Sequence, residues 1–313
     1  MDEYKYFSVL QQYTKLEELK NDFSSLELNC DSYCISLSGG VDSMVLMDIL
    51  LKRNKKIIAI HINYNNREES KTEEEFLKEY CKSKNITFIS YSFNFKRGSI
   101  NRTEYEKKTK EIKFKLYESI LIEYKINSIL LAHHKDDIIE NIFTNFCKGE
   151  NFLNLSVIKY SNQIMNVHII RPLINYYKND IYNYAHFHEI PYFLDTTPDW
   201  SVRGKIRNNI MPFMLNLFPG FKNNLLNIAN ESEDWGKLIE AKFINKYVSN
   251  IIFHANIVEM PLIIHNEDYS EYPLCFWSAI FIKVFHEYNI SAPSRKSLNL
   301  LLFNIKNKKE TKI

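Results

Sequence analysis

Glycine is scarce in this chain: seven in 313 residues, where average usage near ~7% would supply about three times as many. They stand at Gly39, Gly40, Gly98, Gly149, Gly204, Gly220 and Gly236. Neither a G-x-G-x-x-G dinucleotide fingerprint nor a G-x-x-x-x-G-K-[ST] phosphate loop can be drawn from these positions. Cysteine is thin as well. Cys30, Cys34, Cys81, Cys147 and Cys275 include no C-x-x-C pair, which argues against a disulfide framework and a cysteine-bound zinc or iron–sulfur centre. No apolar run reaches the ~18–20 residues of a membrane span; the best, around 276–285, is short and contains Lys283. Neither charge sign dominates, with Lys+Arg 40 against Asp+Glu 38, and a balance near zero decides nothing about nucleic acid. The opening MDEYKYFSVL is acidic and polar, unlike a secretory or transit peptide. A cytoplasmic enzyme with no membrane partner is the expectation.

What is present is an ordinary globular composition, 45% hydrophobic and 25% charged, long enough for two domains. The first half alternates short apolar runs with helical patterns. Strands are expected at 33–37, 56–64, 86–93 and 128–132, and helices from about Asp42, over 68–84, over 101–124 and over 136–147. A further strand over 167–173 and helix over 178–189 follow. Such alternation predicts an α/β fold, doubly wound, with a mostly parallel sheet and helices on both faces. Ligands then bind outside the carboxyl ends of the strands. The polar clusters at Ser38–Gly40, His61–Asn63 and His133–His134 should therefore share one crevice. Beyond Leu215 the pattern is mainly helical, so domains of 1–214 (catalytic) and 215–313 (smaller, accessory) are expected, with Pro219-Gly220 as punctuation. The Lys-rich tail reads as a solvated end.

Ser38-Gly39-Gly40-Val41-Asp42-Ser43 lies between a strand and a helix. Two glycines let a backbone approach phosphate and present its N–H groups to an anion. The helix start adds positive potential, and both serine hydroxyls can donate. Asp42 is a hard carboxylate suited to Mg²⁺. The plain alternative is a capped strand–turn–helix.

A second cluster follows the fourth strand: His133, His134, Asp136 and Asp137, with Glu140 one turn on. Its carboxylates can bind Mg²⁺, grip an ammonium or accept a proton; helix capping is the structural alternative. Arg171, Arg203, Lys205 and Arg207 form a cationic set suited to pyrophosphate, AMP or RNA phosphate, or to surface ion pairs. His61 taken alone reads as a packed strand-end residue. Lys96-Arg97 and 107–115 read as solvated helix faces. Tyr176, Tyr177 and Phe193 are aromatics that a flipped base could stack on.

Together these motifs resemble the tRNA(Ile)-lysidine synthetase family of PP-loop ATP pyrophosphatases. SGGVDS resembles the PP-loop. The run Leu131–Glu140 (LAHHKDDIIE) resembles the family's G-H-H-x-D-D-Q-x-E-T, and His61, Arg67 and Ser70 resemble H-x-D-H-x-x-R-x-x-S. Arg171-Pro172-Leu173 resembles R-P-L. Arg203-Gly204-Lys205-Ile206-Arg207 with Pro212 resembles R-N-x-I-R-x-x-x-x-P, and Asp195 resembles the acidic residue before it. The matches run in order over about 33–212. Departures are Ile138 for Gln, Asn141 for Thr, Asn65-Asn66, the TTPDWS stretch, and Lys110 and Lys113 where the family's A-R-x-x-R-Y has arginines.

The resemblance implies a PP-loop ATPase-type sheet and a two-step ligation forming a C–N bond. The C2 carbonyl of the wobble cytidine in a tRNA anticodon is adenylated by ATP, and the ε-amine of free lysine then replaces AMP. ATP and Mg²⁺ are the implied cofactors, tRNA-Ile and L-lysine the partners, with a homodimer left open. Carried onto this chain, Asp42, His133, Asp137 and Arg207 are the catalytic candidates. Ser38, Gly39, Gly40, Val41, Asp42, Ser43, His61 and His133 would hold ATP. Asp136, Asp137, Glu140, Arg171, Arg203, Lys205 and Arg207 would hold the other substrates, and Asp42 and Asp137 the metal. A relative using sulfur or another amine, or a binding protein without turnover, stays open. Gly98 and Gly236 have no explanation at this level.

Overall fold

A run such as YCISL, apolar at four of its five positions and bounded by polar turns, can bury both faces only inside a layered sheet. The structure, a computed structural model, describes residues 23–65, 69–93, 101–194, 201–254, 257–288 and 290–306. Asn66, Arg67, Lys96-Arg97, Gly98, Asp195 and the rest of 195–200, and the tail beyond Lys306 lie outside the described residues. Two compact units are present: one runs to Ile228, and the other takes Phe152–Asn154 and the chain from Ala229.

The first unit holds a six-stranded sheet. Its strands are β1 (Ser32–Ser36), β2 (Lys56–Asn63), β3 (Thr87–Ser92), β4 (Ile129–Leu130), β5 (Ser161–Ile164) and β6 (Val167–Ile170), in the order β3-β2-β1-β4-β6-β5. All pairings are parallel except that of β5 with β6. The order turns about β1, whose residues Cys34 and Ile35 pair with Ile129 and Leu130 of β4. In an open parallel sheet that switch point is where the strand ends leave a crevice.

Side chains alternate across the sheet as the strand period requires. Tyr33, Ile35, Leu37, Ile57 and Ala59 face a core built with helix α1 (Val41–Lys52), helix α2 (Ser70–Ser83) and helix α5 (Lys178–Phe187). Cys34, Ile58 and Ile60 face the other way, against Phe114, Tyr117, Ile120 and Leu121 of helix α3 (Arg102–Tyr124). Helices therefore cover both faces, as expected. Helix α4 (Lys135–Lys148) leaves the end of β4 and buries Ile139 and Ile142, whereas Phe146 stays exposed.

The expected strand 167–173 is shorter and has a partner the pattern did not mark. Pro172 lacks an N–H for the ladder, and the chain turns at Pro172–Asn175. Ser161–Ile164 returns antiparallel as an edge strand; its sequence SNQI is too polar and short to read as one. After the sheet come α6 (Val202–Lys205), a π turn at Ile206–Ile210, α7 (Met211–Leu217) and α8 (Phe221–Ile239).

The second unit is mainly helical. Helix α9 (Asn245–Val248), α10 (Leu274–Glu287) and α11 (Arg295–Lys306) enclose Tyr247, Trp277, Ile280, Phe281, Leu298 and Leu301, and two short antiparallel ladders accompany them. The apolar run around 276–285 is thus a core helix. Gly236 gains its reason here: a Cβ would stand 2.7 Å from the Leu153 carbonyl oxygen, closer than packed atoms tolerate. Among the described residues no helix is long and apolar enough to cross a membrane.

Candidate active site

The loop after β1 is shaped by its glycine pair. Gly39 has φ +84, and a Cβ there would fall 2.6 Å from the Phe193 ring, so only glycine fits both the backbone and the space. The Phe193 N–H donates to the Gly39 carbonyl at 2.9 Å, fastening the loop from behind. Gly40 begins α1 without a side-chain cap, which leaves the first N–H groups of the helix available to an anion. The Ser43 hydroxyl donates to the Gly40 carbonyl at 3.0 Å and lies 3.1 Å from the Ser38 hydroxyl.

A cavity of about 400 Å³ opens over this loop, within the size range of small-ligand sites. Ser38, Gly40, Val41, Asp42 and Ser43 line it from β1 and α1, and His133, His134 and Asp137 from the end of β4 and the start of α4. Arg203 and Arg207 close it together with Lys113, Lys178 and Glu73. Two strands adjacent at the switch point thus deliver both leading motifs to one place.

Acidic and cationic motifs meet as ion pairs. Arg207 Nε donates to Glu140 Oε1 at 2.6 Å, and Arg203 Nε to Glu140 Oε2 at 3.0 Å. Arg203 Nη2 also donates to Asp137 Oδ1. Arg203 stands in α6 and Arg207 four residues on in the π turn that continues it, and both guanidinia reach α4. Asp137 is buried, which by itself raises its pKa; His134, Arg203, the His134 backbone N–H and His133 outweigh that and hold the carboxyl below its ordinary value. His134 is enclosed among carboxylates, its Nε2 3.4 Å from Asp137 Oδ2 and 3.7 Å from Asp42 Oδ1, while its buried Nδ1 has no hydrogen-bond partner. Asp136 accepts from the Lys178 backbone N–H at 2.8 Å and from Lys222 Nζ, tying α4 to the starts of α5 and α8.

His133 sits in the cavity wall, neutral: burial pushes its pKa down to about 4, Asp137 opposes, and Arg171, Arg203 and Lys113 add to the depression. Lys113, half-buried, is itself lowered by burial and by Lys110.

The expected residues do not all converge. Ser38, Gly40, Val41, Asp42, Ser43, His133, Asp137, Arg203 and Arg207 line the cavity. Asp136 and Glu140 line an adjoining hollow of about 290 Å³ with Ile139, Met211, Pro212, Leu215 and Lys222. His61 does not join them: it is buried, its Nδ1 2.9 Å from the Leu37 carbonyl oxygen, sealing the end of β1. Asn63 is likewise buried and bonded to Ser70 and Glu74. The second strand's cluster therefore braces the crevice and does not line it. Arg171 is buried behind the wall, and Lys205 is exposed on α6. Lys178 was missed: its Nζ holds both oxygens of Asp42, yet nothing in the run YYKND distinguishes it from a solvated helix lysine. Lys113 was visible only as the counterpart of a family arginine.

Similarity to known proteins agrees with this architecture. The tRNA(Ile)-lysidine synthase of Francisella tularensis subsp. holarctica is 27% identical over 246 residues, 78% of this chain and 61% of that protein. The bifunctional protein TilS/HprT of Listeria monocytogenes is 27% identical over 229 residues, 71% of this chain and 35% of that protein. The chain thus spans about a third to three-fifths of these relatives' lengths. Among solved structures, the U34-tRNA thiolase NcsA of Methanococcus maripaludis, with its [4Fe-4S] cluster, superposes with a TM-score of 0.52 at 21% identity, covering 68% of this chain and 74% of that one. That likeness concerns the fold; among the described residues no cysteine lines the cavity. Residues 10–214 match the model of the PP-loop domain, and with two thirds of its length inside that match, the chain belongs to the PP-loop family.

Proposed function

We propose that this protein is a tRNA-modifying ligase that uses ATP to adenylate the C2 carbonyl oxygen of a wobble cytidine and then installs the ε-amine of free lysine, releasing AMP and pyrophosphate. One observation carries the reading: the glycine-pair loop, the His133–Asp137 cluster and the Arg203/Arg207 pair line a single cavity. The relatives named tRNA(Ile)-lysidine synthase support the choice of substrate.

In the first step the cytidine O2 attacks the α-phosphorus and the bond to pyrophosphate breaks. The loop N–H groups, the start of α1 and the hydroxyls of Ser38 and Ser43 are placed to take phosphate oxygens, and Lys113, Lys178, Arg203 and Arg207 supply positive charge around them. In the second step the lysine nitrogen attacks C2, and the C2–O bond to AMP breaks. The amine must first lose a proton, because a free ε-ammonium has a pKa near ~10.4. Asp137 and Glu140, or the departing phosphate, can accept it. Among the described residues no cluster of three or more ligating side chains forms a metal site by itself; Asp42 and Asp137, on either side of His134, would supply two hard oxygen donors to a Mg²⁺ carried in on the phosphates, whose charge would neutralise the phosphate chain.

The adjoining hollow suits the amino acid. Met211, Pro212, Leu215 and Ile139 form an aliphatic floor for its stem, and the paired Asp136–Lys222 and Glu140–Arg207 groups would exchange partners with its ammonium and carboxylate.

The test supplies purified protein with ATP, Mg²⁺, labelled lysine and tRNA, followed by nucleoside mass spectrometry. Cytidine gaining one lysine is the expected result, abolished in Asp42→Ala and Asp137→Ala. Incorporation of another amine, or none, overturns the reading.

A further inference from the structure

Arg171 belongs to an R-P-L motif suited to anion binding, yet it is 5% exposed and lines neither hollow. Its guanidinium is committed elsewhere. Nη1 donates to the Lys159 carbonyl at 2.6 Å and to Asn162 Oδ1 at 2.7 Å, both in or beside the edge strand β5. Nε donates to His133 Nδ1 at 3.3 Å. We propose that Arg171 is a positioning residue that fixes the tautomer of His133, so that the imidazole presents an Nε2–H donor to the phosphate chain of the nucleotide.

The argument is one of donors and acceptors. Arginine has N–H groups only and cannot accept a hydrogen bond. His133 Nδ1 must therefore offer its lone pair, and a neutral ring then carries its proton on Nε2. Charging the ring would set an N–H of His133 against one of Arg171, a cost added to that of burial. His133 Nε2 has no hydrogen-bond partner among the described residues and is not sealed from solvent. His133 lines the cavity and Arg171 does not, so the Nδ1 edge faces inward and the Nε2 edge faces the cavity. The charged groups around the ring are Asp137 of α4, Arg203 of α6, Lys113 of α3 and Arg171 itself.

The short antiparallel return of β5 acquires a purpose on this reading. It supplies the two acceptors that hold the guanidinium in plane behind the histidine, which a β6 with no partner would not provide. A neutral donor there adds a hydrogen bond to phosphate without a further full charge in a cavity already lined by two arginines and two lysines.

This inference rests on the cavity being a nucleotide site, as proposed above. The experiment records long-range ¹H–¹⁵N correlations of histidine-labelled full-length protein without nucleotide, with His133→Gln identifying the signal. The expected spectrum shows His133 protonated on Nε2 and bare on Nδ1. An Nδ1–H tautomer in the unmodified protein overturns the proposal, and no variant is needed for that outcome. Arg171→Lys keeps the charge but removes the planar Nε donor, and Arg171→Met removes both; each is expected to mix the two tautomers. Pyrophosphate release in Arg171→Lys should lose at least about tenfold in kcat with a smaller change in the KM for ATP, as loss of a positioned donor predicts. A folded Arg171→Lys or Arg171→Met protein whose His133 remains purely Nε2–H refutes the positioning role. Because the spectrum is read without substrate, its outcome is independent of whether lysine is incorporated into tRNA.

Discussion

Lys178 Nζ lies 2.7 Å from each carboxylate oxygen of Asp42. Asp42 comes from the first turn of α1 and Lys178 from the first turn of α5, a helix that packs on α1 in the same core. Asp136 accepts the Lys178 backbone N–H, so the acidic motif of α4 fixes the helix whose lysine neutralises the Asp42 carboxylate.

Removing that ammonium tests the arrangement. Lys178→Met retains an unbranched stem beside Tyr182 and leaves Asp42 without its counterion. Stability is expected to fall by about 1–2 kcal/mol, since the pair is partly exposed, 23% and 25% for the two side chains, and water recovers some of the loss. ATP-dependent pyrophosphate release should fall at least about tenfold as a cavity cation is lost. A variant matching the parent in both thermal melting and turnover would show that the pair is incidental.

Gly39→Ala makes two separable demands on the loop. A Cβ would meet Phe193 at 2.6 Å, and φ of +84 disfavours any L side chain. The expected cost is about 1–3 kcal/mol, with loss of ATP binding in isothermal titration. Adding Phe193→Ala should restore space but not backbone freedom, so the double variant recovers only part of the stability lost. Full recovery would mean that contact alone excludes a side chain.

Glu140 is the acceptor for both arginines, so Glu140→Gln should cost more than Arg203→Met. The carboxylate is 10% exposed and Arg203 is 55% exposed. Glu140→Gln strips both arginines of their shared acceptor, whereas after Arg203→Met the buried Glu140 still holds Arg207 at 2.6 Å, and the loss is confined to one partly hydrated pair. Chemical denaturation of the two variants gives the comparison: about 2–4 kcal/mol is expected for the first and about 1 kcal/mol for the second. Equal losses would place the energetic centre of the network on Asp137.

Local pattern and global placement separate clearly in this chain. The double glycine and the H-H-K-D-D run were legible because they follow apolar strands, and strand ends converge in a parallel sheet. That His61 faces the Leu37 carbonyl was not legible. A histidine at a strand end can turn to the crevice or to its neighbour's backbone, and only the register of β2 against β1 decides. The arginines of 203–207 read as an anion clamp because sequence reveals their charge; their pairing with Asp137 and Glu140 depends on how this segment packs against α4. Asn141, a departure from the family pattern, accepts the Val157 N–H at 3.2 Å and pins the chain after α4. Periodicity carries no information on that bond.

Acid sensitivity separates His133 from Asp137. An ordinary histidine titrates near ~6.5, whereas desolvation of the half-buried His133 pushes its pKa down to about 4. Between these values the unfolded chain binds more protons than the folded one, so stability rises with pH across the window and falls as pH is lowered through it. Asp137 is held below its ordinary value; its contribution is present above about 4 and is lost only below that. His186 and His188, also lowered by burial, share the upper window. Denaturation at a series of pH values should therefore show stability declining from about pH 6.5 to about 4, then a further decline. His133→Gln should flatten the upper limb by about 1–3 kcal/mol and leave the lower limb intact, whereas Asp137→Asn should do the reverse. An upper limb unchanged by His133→Gln would mean that His133 is not held neutral by the fold.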